Sequence, residues 1–339
     1  MYENYLITLR GFKLKKKLSF FFKLISELEN QIIKSKKLNN IIFVSSFPRS
    51  GTTIITKHLS NILSSTGSVC YKDLPFIETP ILWSLFSKYY YSDKKYNRIH
   101  NDKIEISPDD PEAFEEILWD NYFGEKSFKL FLKEHTDHKL QKKINSFLSN
   151  DYENFVKKIL YIRKAKNYLC KNNYNIYKSK YLLEQFANSV FIIPVRDPND
   201  TLNSLVRLDK NFQKLGNEYK GFDEFLTNTS HFEFGNKKEF ITAKTTEVFQ
   251  NYLNDYNFFL KKIIELKNLN EFKNRVIIIN NNKMEKNLKN IYKNISNKIS
   301  INLNFEKLSD LVYTNRIYSE RLVISKETYK LYDEVLSYS

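Results

Sequence analysis

Two segments of this chain combine residue types and spacing suited to holding phosphate. In the first, the apolar run Ile41-Ile42-Phe43-Val44 leads through Ser45-Ser46 into Phe47-Pro48-Arg49-Ser50-Gly51-Thr52-Thr53. A helix-like pattern opens straight afterwards. Strand, tight loop and helix start form an anion site, because amide N–H groups converge there and the helix dipole favours negative charge. The loop lacks the G-x-x-x-x-G-K-[ST] pattern of a Walker A sequence and carries a cation, Arg49, instead. In the second, Val190-Phe191-Ile192-Ile193-Pro194-Val195 reads as a buried strand, followed by Arg196-Asp197-Pro198-Asn199-Asp200-Thr201-Leu202-Asn203-Ser204. A guanidinium grips phosphate with a permanently charged fork, and a hydroxyl adds one directed donor. Either segment alone fits a structural turn. Both in one chain, in this order, make coincidence a poor explanation.

Phe47–Thr53 resembles the 5′-phosphosulfate loop of sulfotransferases that use 3′-phosphoadenosine 5′-phosphosulfate (PAPS). The Arg196 and Ser204 spacing resembles the 3′-phosphate site of the same family. Four further strings are similar to one bacterial branch: Tyr71-Lys72-Asp73-Leu74-Pro75-Phe76, His100-Asn101-Asp102 with Pro111-Glu112-Ala113-Phe114-Glu115-Glu116, Lys171-Asn172-Asn173-Tyr174-Asn175, and His231-Phe232-Glu233-Phe234-Gly235. The resemblance runs from about residue 41 to about 240 and is loose beyond. Asn280-Asn281-Asn282-Lys283 stands where many relatives carry a Y-E-D-L-like stretch, and the Gly-rich loop that closes over PAPS in animal cytosolic enzymes is missing.

The resemblance implies sulfuryl transfer from PAPS to a hydroxyl or amine of a carbohydrate, lipid, peptide or small-molecule acceptor, with no metal. It assigns Pro48, Arg49, Ser50, Gly51, Thr52, Thr53, Arg196 and Ser204 to the cofactor. Fixed cations and amides must neutralise charge developing on the transferred group. Arg49 is one such cation. Lys178, at the end of a strand expected over 174–177, is a second candidate, since related enzymes carry a Lys at a similar strand end; a solvated surface lysine is the competing reading. The acceptor must also lose a proton. Animal relatives place a His two residues after their strand-end Lys; here that position is Lys180. His100, oriented by Asp102, has a suitable intrinsic pKa. Asp73, near where tyrosylprotein sulfotransferases place a Glu, would need burial to raise its pKa. Glu78, His231 and Glu233 are further candidates. Two other classes compete: a kinase of the same fold, and a nucleotide-binding or membrane-surface protein without turnover.

The elements that must position these residues alternate. Strands are expected over 41–46, 68–71, 174–177, 190–195 and 275–280, and a first helix over 52–64. That alternation implies an α/β, P-loop-like parallel sheet flanked by helices, with ligands at the carboxyl ends of the strands. Residues 84–170 read as a mostly helical insertion, the usual place for acceptor specificity. Its Trp83 edge and Trp119 suit ring stacking or core packing equally. Residues 1–38 form a basic helical segment ahead of a single domain over 39–339. Phe20, Phe21, Leu24, Ile25 and Leu28 recur at helical spacing among Lys15, Lys16, Lys17 and Lys23. Such a helix packs on its own domain more often than it makes peripheral membrane contact.

Composition narrows the classes. With 339 residues, 42% apolar and 15% aromatic, the chain can bury a large core. Two cysteines, Cys70 and Cys170, exclude a disulfide framework and a zinc cluster and fit a reducing, cytoplasmic home. No stretch is long and apolar enough to span a bilayer, and Met1-Tyr2-Glu3-Asn4 does not open a signal-peptide pattern. The net charge of +15 would attract nucleic acid, anionic lipid or an anionic cofactor. The lysines are dispersed and no nucleic-acid module is present, so an AT-rich codon bias explains them better and no nucleic-acid partner is expected.

Overall fold

Strand β1, Ile41–Val44, is buried along its whole length, which is why it reads as a continuous apolar run. It lies at the centre of a five-stranded sheet in the order β2-β5-β1-β6-β7, where β2 is Thr66–Gly67, β5 Asn167–Lys171, β6 Ser189–Val195 and β7 Val276–Asn280. Every pairing is parallel, with Phe43 opposite Cys170 on one side and Phe191 on the other. A separate antiparallel pair joins β3, Tyr96–Asn97, to β4, Glu105–Ile106. The computed structural model describes residues 2–91, 95–100, 104–132, 137–308 and 322–339.

Helices α1 (Tyr2–Lys17) and α2 (Ser19–Ile32) precede the sheet, and α3 (Thr52–Ile62) follows β1. Between β2 and β5 run α4 (Pro80–Tyr90), α5 (Glu116–Phe123), α6 (His138–Ser146) and α7 (Glu153–Ile162). Helix α8 (Asn175–Gln185) links β5 to β6; α9 (Pro198–Glu218), α10 (Phe222–Asn228) and α11 (Val248–Asn268) lie between β6 and β7. Helices α12 (Met284–Ile299) and α13 (Lys326–Leu336) come last. The period of two along each strand splits the sheet's side chains between two cores. Phe43, Cys170, Phe191, Ile193 and Ile278 face the larger one; Ile42, Val44, Leu169, Ile192 and Ile279 face α3 and α12. The fold is an α/β parallel sheet covered on both faces.

Four expected elements differ. Residues 174–177 are not a strand: they open α8, and β5 ends earlier, at Lys171. The alternating Tyr174, Ile176 and Tyr177 fit a helix face as well, and the asparagines before them make a turn. Asn172 Oδ1 accepts from the Tyr174 amide at 2.9 Å, as turn-forming asparagines do. The strand expected over 68–71 shrinks to Thr66–Gly67, followed by a 3₁₀ turn at Tyr71–Asp73. Strand β1 and helix α3 are each two residues shorter than expected, because Ser45 turns its hydroxyl onto the Asn173 carbonyl (3.1 Å) and Leu63 is already extended. Trp119 is fully buried among Phe131, Phe147 and Tyr152, so it is core.

The basic N-terminal segment packs on the rest of the chain. Tyr5 sits against Phe222 and Phe225 and donates to the Lys220 carbonyl at 3.0 Å. Buried Glu29 accepts from the Leu82 amide at 2.7 Å and pairs with Lys158. Phe20, Leu24 and Leu28 remain exposed.

Candidate anion and acceptor site

The loop after β1 is held in a conformation that ordinary residues resist. Arg49 has φ 71° and Gly51 has φ 98°, both left-handed. A Cβ on Gly51 would stand 2.7 Å from Asn281 Nδ2, so only glycine permits this approach of the loop to the end of β7. Gly51 caps α3, whose first-turn amides have no partners within the helix and point back at the loop. The Ser50 hydroxyl is buried with no hydrogen-bond partner among the described residues. A buried polar group in that state needs a partner from outside the chain or from water.

The second motif meets the first. After β6, Asp197 caps α9 by accepting from the Asn199 and Asp200 amides at 2.9 and 3.2 Å, with Pro198 at the first helical position. This fixes Arg196 at the strand end, where its Nη1 reaches the Arg49 carbonyl at 3.5 Å. The Tyr256 hydroxyl donates to the Arg196 carbonyl at 2.8 Å. Arg49 Nε in turn donates to Ser204 Oγ on α9 at 3.0 Å. Arg49, at the end of β1, therefore clusters with Arg196 and Ser204 from the distant motif at the end of adjacent strand β6 and the start of α9. Strand β1 is where the chain switches from one side of the sheet to the other, the usual ligand position in such sheets.

A third cation stands at the end of β5, and it is not Lys178. Lys178 lies on α8, fully buried, paired with Glu116 and 4.2 Å above the Trp119 ring. The strand-end lysine is Lys171, paired with buried Glu112. Glu112 also accepts from Tyr71 Oη at 2.7 Å. Burial alone would raise the Glu112 carboxyl, but Lys171, Arg98 and His231 outweigh it and hold the group at about 2. The lysine was missed because β5 was sought too late in the chain. Its signal was present in Lys171-Asn172-Asn173-Tyr174-Asn175, which docks on the acidic string of α5: Asn172 donates to Glu116 at 2.7 Å and Asn175 to Glu115 at 3.2 Å.

His100 joins this group. Its Nδ1 is buried without a hydrogen-bond partner among the described residues, and its ring meets Phe212 and Phe234 edge-on. Burial, then the charges of Arg98, Arg49 and Lys171, push its pKa well below the ordinary value, so the imidazole is neutral. Arg98 Nη1 donates to Thr53 Oγ1 at 3.1 Å, tying it to the start of α3. A cavity of about 140 Å³ is walled by Arg98, His100, Glu112 and His231 among aromatic side chains. His231 Nδ1 lies 2.8 Å from the Thr229 carbonyl. Asp102 lies outside the described residues.

Asp73 is placed differently. Arg163 Nη2 lies 2.6 Å from both carboxylate oxygens, and the Cys70 amide donates at 2.7 Å, so the group closes its own turn. Burial raises its pKa and Arg163 opposes. It is absent from the wall of the His100 cavity. Glu78 accepts from Asn121 and pairs with Lys15. Glu233 accepts from Asn173 Nδ2 at 3.3 Å, with its other oxygen buried and without a partner among the described residues.

Similar solved structures include sulfotransferase STF9 from Mycobacterium avium, with 14% identity, a TM-score of 0.46, and 90% of this chain and 69% of that one covered. Sulfotransferase STF1 from Mycobacterium tuberculosis H37Rv gives 11% identity and a TM-score of 0.46 over 98% of this chain and 86% of that one. The sulfotransferase domain of the Synechococcus PCC 7002 olefin synthase gives 12% and 0.44 over 89% and 96%. No curated protein matches the chain. The model of the sulfotransferase family matches residues 41–236, from the first strand through both anion motifs to the loop after α10. On that match, which spans more than half of its length, the chain belongs to the sulfotransferase family.

Proposed function

We propose that the chain moves a sulfuryl group from PAPS to a hydroxyl or amine of an acceptor. The observation that carries this reading is the meeting of Arg49 with Ser204 and of Arg196 with the Arg49 carbonyl, which puts two anion motifs side by side. The residues fit the donor. The orphaned Ser50 hydroxyl, the α3 amides at Thr52 and Thr53, and Arg49 suit a 5′-phosphosulfate; Arg196 and Ser204 suit a 3′-phosphate. When bound, the donor supplies an activated sulfuryl group and leaves as adenosine 3′,5′-bisphosphate (PAP).

This chain's own part is electrostatic and acid–base. Arg49, Arg98 and Lys171 place fixed positive charge where the transferred group gathers negative charge, which needs no solvent reorganisation. His100, kept neutral by burial and then by those cations, is in the form that accepts the acceptor's proton. An anionic donor beside it would offset the cations and raise its basicity. The kinase reading is weaker, because Arg49 stands where a Walker lysine would be required.

Sulfate-labelled PAPS incubated with the protein and a panel of hydroxyl and amine acceptors, with chelator present, tests the reading. Labelled product and PAP are expected together. In His100→Ala, turnover is expected to fall about 10²- to 10⁴-fold with PAP affinity retained. Phosphate transfer from ATP with Mg²⁺, and none from PAPS, would replace the reading with the kinase one.

A further inference from the structure

A sizeable cavity among the described residues lies away from the phosphate loop. It is a groove of about 610 Å³ between α1, α2 and α4, within the size range of small-molecule sites. Its walls are mostly apolar, with Ile7, Leu14, Phe21, Phe76 and Trp83 prominent, and Arg10 adds a cation. Thr8 and Tyr91 line both this groove and the smaller cavity that holds Arg98, His100, Glu112 and His231. The two spaces therefore share a wall; both are lined mainly by apolar groups, and the smaller one also by the charged Arg98 and Glu112.

The helices that wall the groove also carry exposed apolar groups: Phe20 is 83% exposed and Tyr89 78%, and Leu28 on α2 and Leu85 on α4 are exposed as well. Lys13, Lys16, Lys17 and Lys23 are exposed on α1 and α2. Large exposed apolar groups rimmed by cations suit an anionic lipid surface.

Building on the sulfotransferase reading above, we infer that the acceptor is a hydroxyl-bearing amphiphile with a long alkyl chain, taken from a lipid surface. The chain lies in the groove between α1, α2 and α4. The hydroxyl reaches the cavity at His100, which removes its proton as the acceptor oxygen bonds to sulfur and the sulfur–phosphate oxygen bond breaks. The N-terminal helices are then part of the acceptor site. Without α1 and α2 the groove has one wall.

The test uses the full chain, which is expected to co-sediment with phosphatidylcholine–phosphatidylglycerol vesicles, and primary alkanols of eight to twelve carbons dissolved in buffer below their solubility limits. Their binding is read by displacement of a dansyl-labelled fatty acid. Affinity is expected to rise about fourfold per methylene over the shorter alkanols, from about 0.8 kcal/mol per buried methylene. Ile7→Glu and Phe86→Glu place a charge in the groove at positions already 42% and 50% exposed, so folding should tolerate them. Both are expected to weaken alkanol binding at least tenfold while leaving PAP affinity, measured by calorimetry on the same samples, unchanged. Chain-length independence, or unchanged binding in both variants, would overturn the amphiphile proposal. Loss of PAP binding by the wild type would overturn the donor reading instead, and the alkanol result would then stand or fall by itself.

Discussion

At the scale of single residues, two lysines separate positioning from packing. Lys178 is sealed in the core, and removing one partner of a buried pair strands the other charge. Lys178→Met is therefore expected to cost about 3–5 kcal/mol in urea unfolding, and Lys178→Met with Glu116→Leu to recover much of it. Lys171→Met, at the end of β5, is expected to lower sulfate transfer by more than its effect on unfolding explains. Equal behaviour of the two in both assays would contradict the assignment. Gly51→Ala meets both a left-handed φ and a 2.7 Å contact, so it should destabilise the protein by about 1–3 kcal/mol and weaken PAP binding together. The anion residues were legible because their chemistry is local: a loop of seven residues and an Arg–Ser pair on one turn and helix. Lys171 was not, because its role depends on where a strand stops. The proposed base is less local still, since burial first, and then the charges of nearby Arg98 and of Arg49 and Lys171 from two other segments, lower the His100 pKa.

At the scale of elements, the seam between α3 and α12 carries a titrating group. His58 is buried on α3 with its Nδ1 2.8 Å from the Tyr292 hydroxyl, and burial lowers its pKa to about 4. The unfolded chain binds a proton near 6.5, so it gains protons first as pH falls. Unfolding stability is expected to decline between pH 6.5 and 4, by up to about 1.4 kcal/mol per unit. His58→Gln should flatten that segment of the profile; an unchanged slope would show that other groups set it. The strands β1, β6 and β7 were legible because strands buried on both faces become unbroken apolar runs. The segment 174–177 was misread because a short apolar alternation fits the first turn of a buried helix equally well. What decides between them is the preceding asparagine turn, whose hydrogen bonds run to Glu112's neighbours on another helix.

At the scale of the whole molecule, the parallel sheet was implied by alternation, but its strand order and the groove were not. Its walls come from residues 7–22 and 75–91, which only the packing of α1 and α2 against α4 brings together. The amphipathic pattern of residues 20–28 was visible, yet its two outcomes, packing and exposure, both occur: Phe22 stacks on Phe76 while Phe20 stays open. Among the described residues no helix is long and apolar enough to cross a membrane.

The central claim is that the loop after β1 and the turn after β6 form one site for a doubly anionic nucleotide. Calorimetric titration of the full chain with PAP, alongside Arg49→Ala and Arg196→Ala, tests it most directly. The account predicts saturable one-to-one binding that weakens about ten- to hundredfold in each variant, the loss of one charge-assisted contact. No binding by the wild type, or equal binding by all three, would contradict it.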